Sequence, residues 1–301
     1  MKYYIGIDGG GTKTRGVLAD ENLKVIKSAN GLSTNPLAIG FELSAQRLLS
    51  IIKKISGNKA VEFCVLGIAG VGRKKHADLL LKTIKRLSAR DKFILPPLKI
   101  LTDLEITFEG AFDGKPGTLL IAGTGSVLFS KNSNNNIIRV GGYGRLIGDE
   151  GSGFSIGQKV LASISKSIDG RMPRTQLSDY FLKKFNITDI HSLISLVNSK
   201  GFNIAELAKI VLTRAEKKDK ECIRILNEEI SELILHIRAL IKRNKTDKIN
   251  LSLSGNLLAT SNYYSKKLKA EISKQFPGIK IVKAKYPPEI GAVLIAKKFS
   301  P

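Results

Sequence analysis

Tyr3-Tyr4-Ile5-Gly6-Ile7-Asp8-Gly9-Gly10-Gly11-Thr12-Lys13-Thr14 opens the chain as an apolar strand that runs into a glycine-rich turn. Thr118-Leu119-Leu120-Ile121-Ala122-Gly123-Thr124-Gly125-Ser126 repeats the pattern. Small residues in such a turn let backbone N–H groups approach an anion closely, and threonine hydroxyls add hydrogen bonds. Each turn therefore reads as a phosphate cradle. A second strand follows each cradle, Arg15-Gly16-Val17-Leu18-Ala19 and Val127-Leu128-Phe129-Ser130, and then a third, Leu23-Lys24-Val25-Ile26-Lys27 and Asn136-Ile137-Ile138-Arg139-Val140. Strands rather than a helix flank the first turn on both sides, which disfavours a Walker or Rossmann loop. Two related halves with one cradle each predict a nucleotide held between two domains.

Outward from the first cradle, residues 41–56 place Leu43, Leu48, Leu49, Ile52 and Ile55 at helical spacing, with Lys53 and Lys54 outside. Residues 61–70 form a nearly continuous apolar run ending in glycine, the pattern of a strand covered on both faces. A helix over 75–87 and a strand over 98–103 complete an α/β domain at residues 1–112. Asp113-Gly114-Lys115-Pro116-Gly117 has the composition of a domain joint. A second domain is expected over 113–286, with helical insertions up to about residue 243, strands near 248–254 and 279–284, and a helix near 262–275. A last helix, from the proline pair before Glu289 and spanning about 287–301, is expected to return to the first domain. Asn132 to Asn136 reads as a polar hairpin tip.

The chain has 301 residues and a hydrophobic fraction of 43%, enough for two domains with full cores. The first strand starts almost at once, leaving no room for a signal peptide, and no apolar run is long enough to cross a bilayer. The expected location is the cytoplasm. Cys64 and Cys222 are the two cysteines, with no CxxC pair or Cys/His cluster, so they read as plain core thiols. A net charge of +23 raises nucleic acid or an anionic membrane as partners. The lysines are instead dispersed, as in Lys53-Lys54, Lys183-Lys184 and Lys297-Lys298, without an aromatic-interleaved patch or a nucleic-acid-binding module. Neither partner is expected.

Three groups carry candidate chemistry. Asp8 ends a strand just before the first glycine turn, where a carboxylate beside a triphosphate suits a Mg²⁺ ligand, direct or through water; a turn-forming Asp is the plainer reading. Asp103 ends a strand ahead of the helical stretch that follows, so it is either a helix N-cap or a general base that takes the proton of an attacking alcohol. Gly141-Gly142-Tyr143-Gly144-Arg145-Leu146-Ile147-Gly148-Asp149-Glu150-Gly151-Ser152-Gly153 is the densest run of special residues. It sets Asp149 and Glu150 near a helix N-terminus, as caps or as acceptors for a polyhydroxyl ligand, with Tyr143 as a stacking ring. Gly31-Leu32-Ser33-Thr34-Asn35-Pro36 reads as a polar turn in which Asn35 bonds sugar hydroxyls or forms an Asx turn.

Together with Ser254-Gly255-Asn256 and Pro288-Glu289-Ile290-Gly291-Ala292, these stretches resemble the N-acetylglucosamine kinase and BadF/BadG/BcrA/BcrD ATPase family, of the superfamily of actin, sugar kinases and heat-shock chaperones. The match spans nearly the whole chain, and the Gly148–Gly153 run in order with both cradles makes it specific. The resemblance implies two ribonuclease-H-like (actin-like ATPase) domains with an interdomain cleft, ATP and Mg²⁺, a sugar substrate and a homodimer. By similarity, Gly9, Gly10, Gly11, Thr12 and Lys13 are the first phosphate loop, Gly123, Thr124 and Gly125 the second, and Gly255 and Asn256 the adenosine contact. Asp103 matches the catalytic base. Asn35, Asp103, Gly142, Tyr143 and Asp149 match sugar-binding positions. Kinases specific for N-acetylglucosamine carry asparagine where this chain has Val127, and tryptophan where it has Tyr143. These departures point to a glucosamine, glucose or broad hexose and hexosamine kinase acting on the 6-hydroxyl. The family's other branch, ATPases that activate electron transfer to CoA-ester dehydratases and reductases, needs cluster cysteines that two isolated thiols do not supply. A non-catalytic sugar or nucleotide sensor would bring a helix-turn-helix, for which the chain before Tyr3 has no space.

Overall fold

The computed structural model describes residues 1–134 and 136–300; Asn135, in the expected hairpin tip, and Pro301, the last residue of the expected terminal helix, lie outside the described residues. Contacts divide the chain into two units, Met1–Lys115 with Lys283–Pro301, and Pro116–Val282.

The first unit holds strands β1 (Tyr3–Gly9), β2 (Lys13–Asp20), β3 (Val25–Leu32), β4 (Phe63–Ile68) and β5 (Leu98–Thr102) in the order β3-β2-β1-β4-β5. β1, β2 and β3 pair antiparallel, whereas β4 and β5 run parallel to β1. Helices α1 (Pro36–Ile39), α2 (Phe41–Ser56), α3 (Lys74–Arg90) and α4 (Asp103–Phe112) lie between them in sequence, and the C-terminal helix Pro288–Phe299 joins this unit. Strand alternation sorts the core into two layers. Ile5, Ile7 and Leu66 face α2 and α3, packing with Leu48, Ile52, Leu80 and Ile84, while Tyr4, Val17 and Val65 face Ile106 of α4 and Ile290 and Val293 of the C-terminal helix. That helix comes so near β1 that a Cβ on Gly6 would sit 2.1 Å from the Glu289 carbonyl oxygen. Only glycine fits there. β3 begins later and runs further than expected, because Gly31 and Leu32 pair with Thr14 and Lys13 of β2. The expected polar turn is thereby shortened to Ser33–Asn35.

The second unit repeats the plan with β6 (Gly117–Ala122), β7 (Ser126–Lys131), β8 (Ile137–Val140), β9 (Ile249–Ser254) and β10 (Ile279–Val282), in the order β10-β9-β6-β7-β8. Again three strands pair antiparallel and two run parallel to the first. This is the ribonuclease-H-like arrangement, occurring twice in an α/β chain. Between β8 and β9 come α5 (Gly153–Ile168), α6 (Gln176–Lys184), α7 (Ile190–Asn198), α8 (Leu207–Glu216) and α9 (Lys220–Asn244); α10 (Asn256–Ala259) and α11 (Tyr263–Gln275) follow β9. Their apolar stripes close one core around Ile156, Phe181, Val211, Ile230, Leu233 and Tyr264. Among the described residues no helix is long and apolar enough to cross a membrane.

Candidate active site

In the first unit, β1 ends at Gly9, and the Gly10 N–H donates to the Lys13 carbonyl at 3.0 Å to close a turn whose tip, Gly11 and Thr12, is exposed. Ser33–Asn35 brace it from behind. The Thr34 N–H donates to the Gly10 carbonyl at 3.4 Å, the Ser33 hydroxyl donates to the same oxygen at 3.3 Å, and the Thr14 and Thr34 hydroxyls bond at 2.9 Å. Asn35 caps α1, its Oδ1 accepting from the Leu37 N–H at 3.0 Å, which leaves its side-chain N–H groups as donors.

Gly9, Ile68 and Thr102 form one row across β1, β4 and β5. Asp103, next after Thr102, therefore stands two strands, roughly 10 Å, from the glycine turn. Thr102 is the N-cap of α4, in a reciprocal capping box with Glu105, so Asp103 is not needed as the cap. Its Oδ1 accepts from the Leu104 N–H at 3.0 Å. Asp8 is raised from 3.8 to about 7, first by burial, then by the negative charges of Asp103 and Glu289, against the pull of Lys13. Glu289 is a residue for which sequence reasoning gave no role. It is 5% exposed, and its Oε1 pairs with the Arg15 Nε at 2.9 Å. In sequence it is simply an acid in the first turn of a helix, where dipole pairing is the default reading.

Among the described residues no group of three or more His, Cys, Asp or Glu is arranged to hold a metal ion. One half-buried carboxylate crowded by two other acids suits Mg²⁺, which keeps several waters and takes its remaining ligands from phosphate oxygens.

In the second unit the Gly123 N–H donates to the Gly125 carbonyl at 2.9 Å, and the first N–H groups of α5 hold the turn from outside, Gly153 donating to Gly123 at 2.8 Å and Phe154 to Thr124 at 3.2 Å. A Cβ on Gly123 would meet no protein atom nearer than 3.9 Å, and its φ lies outside the left-handed region, so nothing within the fold demands glycine there. Gly255 is the opposite case: with φ +85° and a Cβ that would lie 2.3 Å from the Ala122 carbonyl oxygen, it lets α10 begin directly against β6. Asn256, exposed, follows it.

Gly142, with φ +71°, rests on Val127. The Tyr143 N–H donates to the Gly148 carbonyl at 2.9 Å, and the Gly148 N–H to the Gly144 carbonyl at 2.9 Å, making a compact loop. Its apolar side chains point outward, Tyr143 62%, Leu146 89% and Ile147 79% exposed, and the Arg139 guanidinium lies 5.8 Å from the Tyr143 ring centre. Asp149 lies beside the turn, its Oδ2 3.1 Å from where a Gly125 Cβ would be. Burial pushes its carboxyl up, while the Ser126 and Gly144 backbone groups hold it down. Ser152 caps α5, accepting from the Ser155 N–H at 3.1 Å, so neither Asp149 nor Glu150 is spent on capping.

Residues 5–296 match the BadF/BadG/BcrA/BcrD ATPase family. The chain belongs to that family. An N-acetylmuramic acid/N-acetylglucosamine kinase of Clostridium acetobutylicum is 30% identical over 309 residues, covering 99% of each chain. An N-acetyl-D-glucosamine kinase of Dictyostelium discoideum is 28% identical over 314 residues, covering 97% of each. Among solved structures, a candidate N-acetylglucosamine kinase of Chromobacterium violaceum superposes with a TM-score of 0.79 at 24% identity, covering 98% of this chain and 99% of the other. The family match includes both glycine turns, Asp8, Asp103 and the Gly148–Gly153 run.

Proposed function

We propose that this family member is an ATP- and Mg²⁺-dependent kinase that transfers the γ-phosphoryl group to the 6-hydroxyl of a hexose or amino sugar. The observation that carries the reading is the row Gly9–Ile68–Thr102, which has the glycine turn and Asp8 at one end and Asp103, a carboxylate that is not the N-cap of α4, at the other. The full-length similarity to sugar kinases supports the acceptor class.

Phosphoryl transfer asks little covalent chemistry of the protein; positioning and charge do most of the work. Gly9, Gly10, Gly11, Thr12 and Lys13 in the first unit, and Gly123, Thr124 and Gly125 in the second, leave room for phosphate oxygens, to which the exposed Gly11, Thr12 and Thr124 offer N–H and hydroxyl donors. Gly255 and Asn256 receive the adenosine. Mg²⁺ held by Asp8, directly or through water, would offset phosphate charge. Asp103 orients the sugar hydroxyl and takes its proton as the hydroxyl oxygen attacks phosphorus. Asn35, Gly142, Tyr143 and Asp149 bond and stack on the sugar. Cys64 and Cys222 are both buried and lie one in each unit, which is not the set of cysteines that an electron-transfer cluster requires.

The test is ADP release against N-acetylglucosamine, N-acetylmuramic acid, glucosamine, glucose, N-acetylmannosamine and no sugar. Sugar-dependent ADP release with a 6-phosphate product is expected. Equal ATP hydrolysis with and without every sugar would sink the reading.

A further inference from the structure

The stretch that carries Asp149 is held by two side chains from distant helices. The Glu229 side chain of α9 is 1% exposed. Its Oε2 accepts from the Gly151 N–H at 2.6 Å and its Oε1 from the Ser155 hydroxyl at 2.8 Å. The hydroxyl of Tyr264, a fully buried residue of α11, donates to the Gly151 carbonyl at 2.9 Å. On the other side the Ser126 hydroxyl donates to the Glu150 carbonyl at 2.5 Å. Three consecutive backbone polar groups are thus fixed by side chains rather than by secondary structure. Leu233 packs where a Gly151 Cβ would be, so the peptide cannot slide past α9.

A bare hydrophobic core would stabilise α9 and α11 more cheaply than a buried carboxylate and a buried phenol, each of which loses solvation on burial. Their hydrogen bonds converge on one peptide, at the hinge between two ligand groups. Two residues before it is Asp149; two and three residues after it are the Gly153 and Phe154 N–H groups that hold the Gly123 and Thr124 carbonyls. The geometry points to Glu229 and Tyr264 as positioning residues that lock Asp149 and the Gly123–Gly125 turn into one rigid register, so that sugar and nucleotide affinity are set together. The assignment rests on the sugar role of Asp149 proposed above. It is a division of labour within the second unit: neither residue touches a ligand, and both act through Gly151.

The experiment measures KM for N-acetylglucosamine (or whichever panel sugar is turned over fastest), KM for ATP, kcat and the thermal midpoint for Tyr264→Phe, Glu229→Gln and Asp149→Asn, and for Tyr264→Phe combined with Asp149→Asn. Tyr264→Phe keeps the packing and removes one hydrogen bond; Glu229→Gln keeps one acceptor in place of two. Both KM values are expected to rise at least threefold in each, with kcat within twofold of the parent. In the Asp149→Asn background Tyr264→Phe should add nothing further to the sugar KM while still raising that for ATP. If Tyr264→Phe does not fold, Glu229→Gln is read by the same criteria, alone and in the Asp149→Asn background. A lower thermal midpoint with both KM values unchanged overturns the positioning role and leaves a structural one. An unchanged sugar KM in Asp149→Asn overturns the sugar site itself, and with it this assignment; a defect in Asp149→Asn alone overturns only the assignment.

Discussion

In the first hairpin Asp8 faces Arg15 one pair before the turn; at the same station in the second, Ile121 faces Val127. The two sheets share strand order and direction, yet charge is concentrated in one and absent from the matching place in the other. Around Asp8 stand Asp103, Glu289, Arg15 and Lys13. Around the Gly123 turn stand uncharged strand residues and the start of α5, with Asp149 reached only through a separate loop. The same backbone plan can therefore be specialised by a few side chains at the strand ends. The first unit gathers charged side chains at its hairpin end, and the second presents uncharged strand residues there.

The largest expected effect tests the charged cluster of the first unit. Asp103→Asn should lower kcat by roughly 10²- to 10⁴-fold, the usual worth of a positioned general base, measured by ADP release at saturating ATP and sugar. A kcat near the parent value would break the division. Next come two glycines of the second unit. Gly123→Ala should raise KM for ATP about tenfold with an unchanged thermal midpoint, because in the proposed reading the added methyl meets the nucleotide while the nearest protein atom is 3.9 Å away. Gly255→Ala should destabilise by about 1–3 kcal/mol, the scale of backbone strain at such a position, read by denaturation without ligand. Equal behaviour of the two would remove the distinction between a glycine kept for a ligand and one kept for the fold.

Smaller still is the contribution of Asp8 to pH dependence. Its carboxyl is raised from 3.8 to about 7 in the folded state, so the folded chain binds the proton more tightly than the unfolded one. The resulting stability is fully present below pH 3.8 and is lost as pH rises through 7. With divalent metal chelated, the parent should lose about 2 kcal/mol relative to Asp8→Asn between pH 4 and 8, a figure discounted for partial solvent access. Parallel stability curves would show that the acid cluster exerts no such strain. Finally, Val127→Asn should shift the ratio of kcat/KM for N-acetylglucosamine over glucose by about three- to tenfold, the worth of one added hydrogen bond. No shift would remove Val127 from substrate choice.

The duplicated hairpins were legible because period-2 strands bounded by glycine clusters form a local pattern, and the strand-end positions of Asp8 and Asp103 were legible because each acid closes an apolar run. Glu289 and Glu229 were not. Each lies on an amphipathic helix where acids are ordinary, and its importance comes from a partner 274 or 78 positions away in sequence, the Arg15 pair and the Gly151 N–H. The extent of β3 was missed for a related reason: pairing with β2 overrides the turn-forming composition of Gly31-Leu32. Cap assignments were displaced by one residue at Thr102, where the sequence offers two adjacent capping types and only the box with Glu105 decides between them.

The C-terminal helix has a further consequence during synthesis. The second unit is continuous in sequence, whereas the first waits for residues beyond Lys283 to cover Tyr4, Val17 and Val65. At ribosomal rates of about 5–20 residues per second, that wait lasts roughly 10–30 s. Until the residues beyond Lys283 are made, Tyr4, Val17 and Val65 lack their cover, and the helix that supplies it also brings Glu289 beside Asp8.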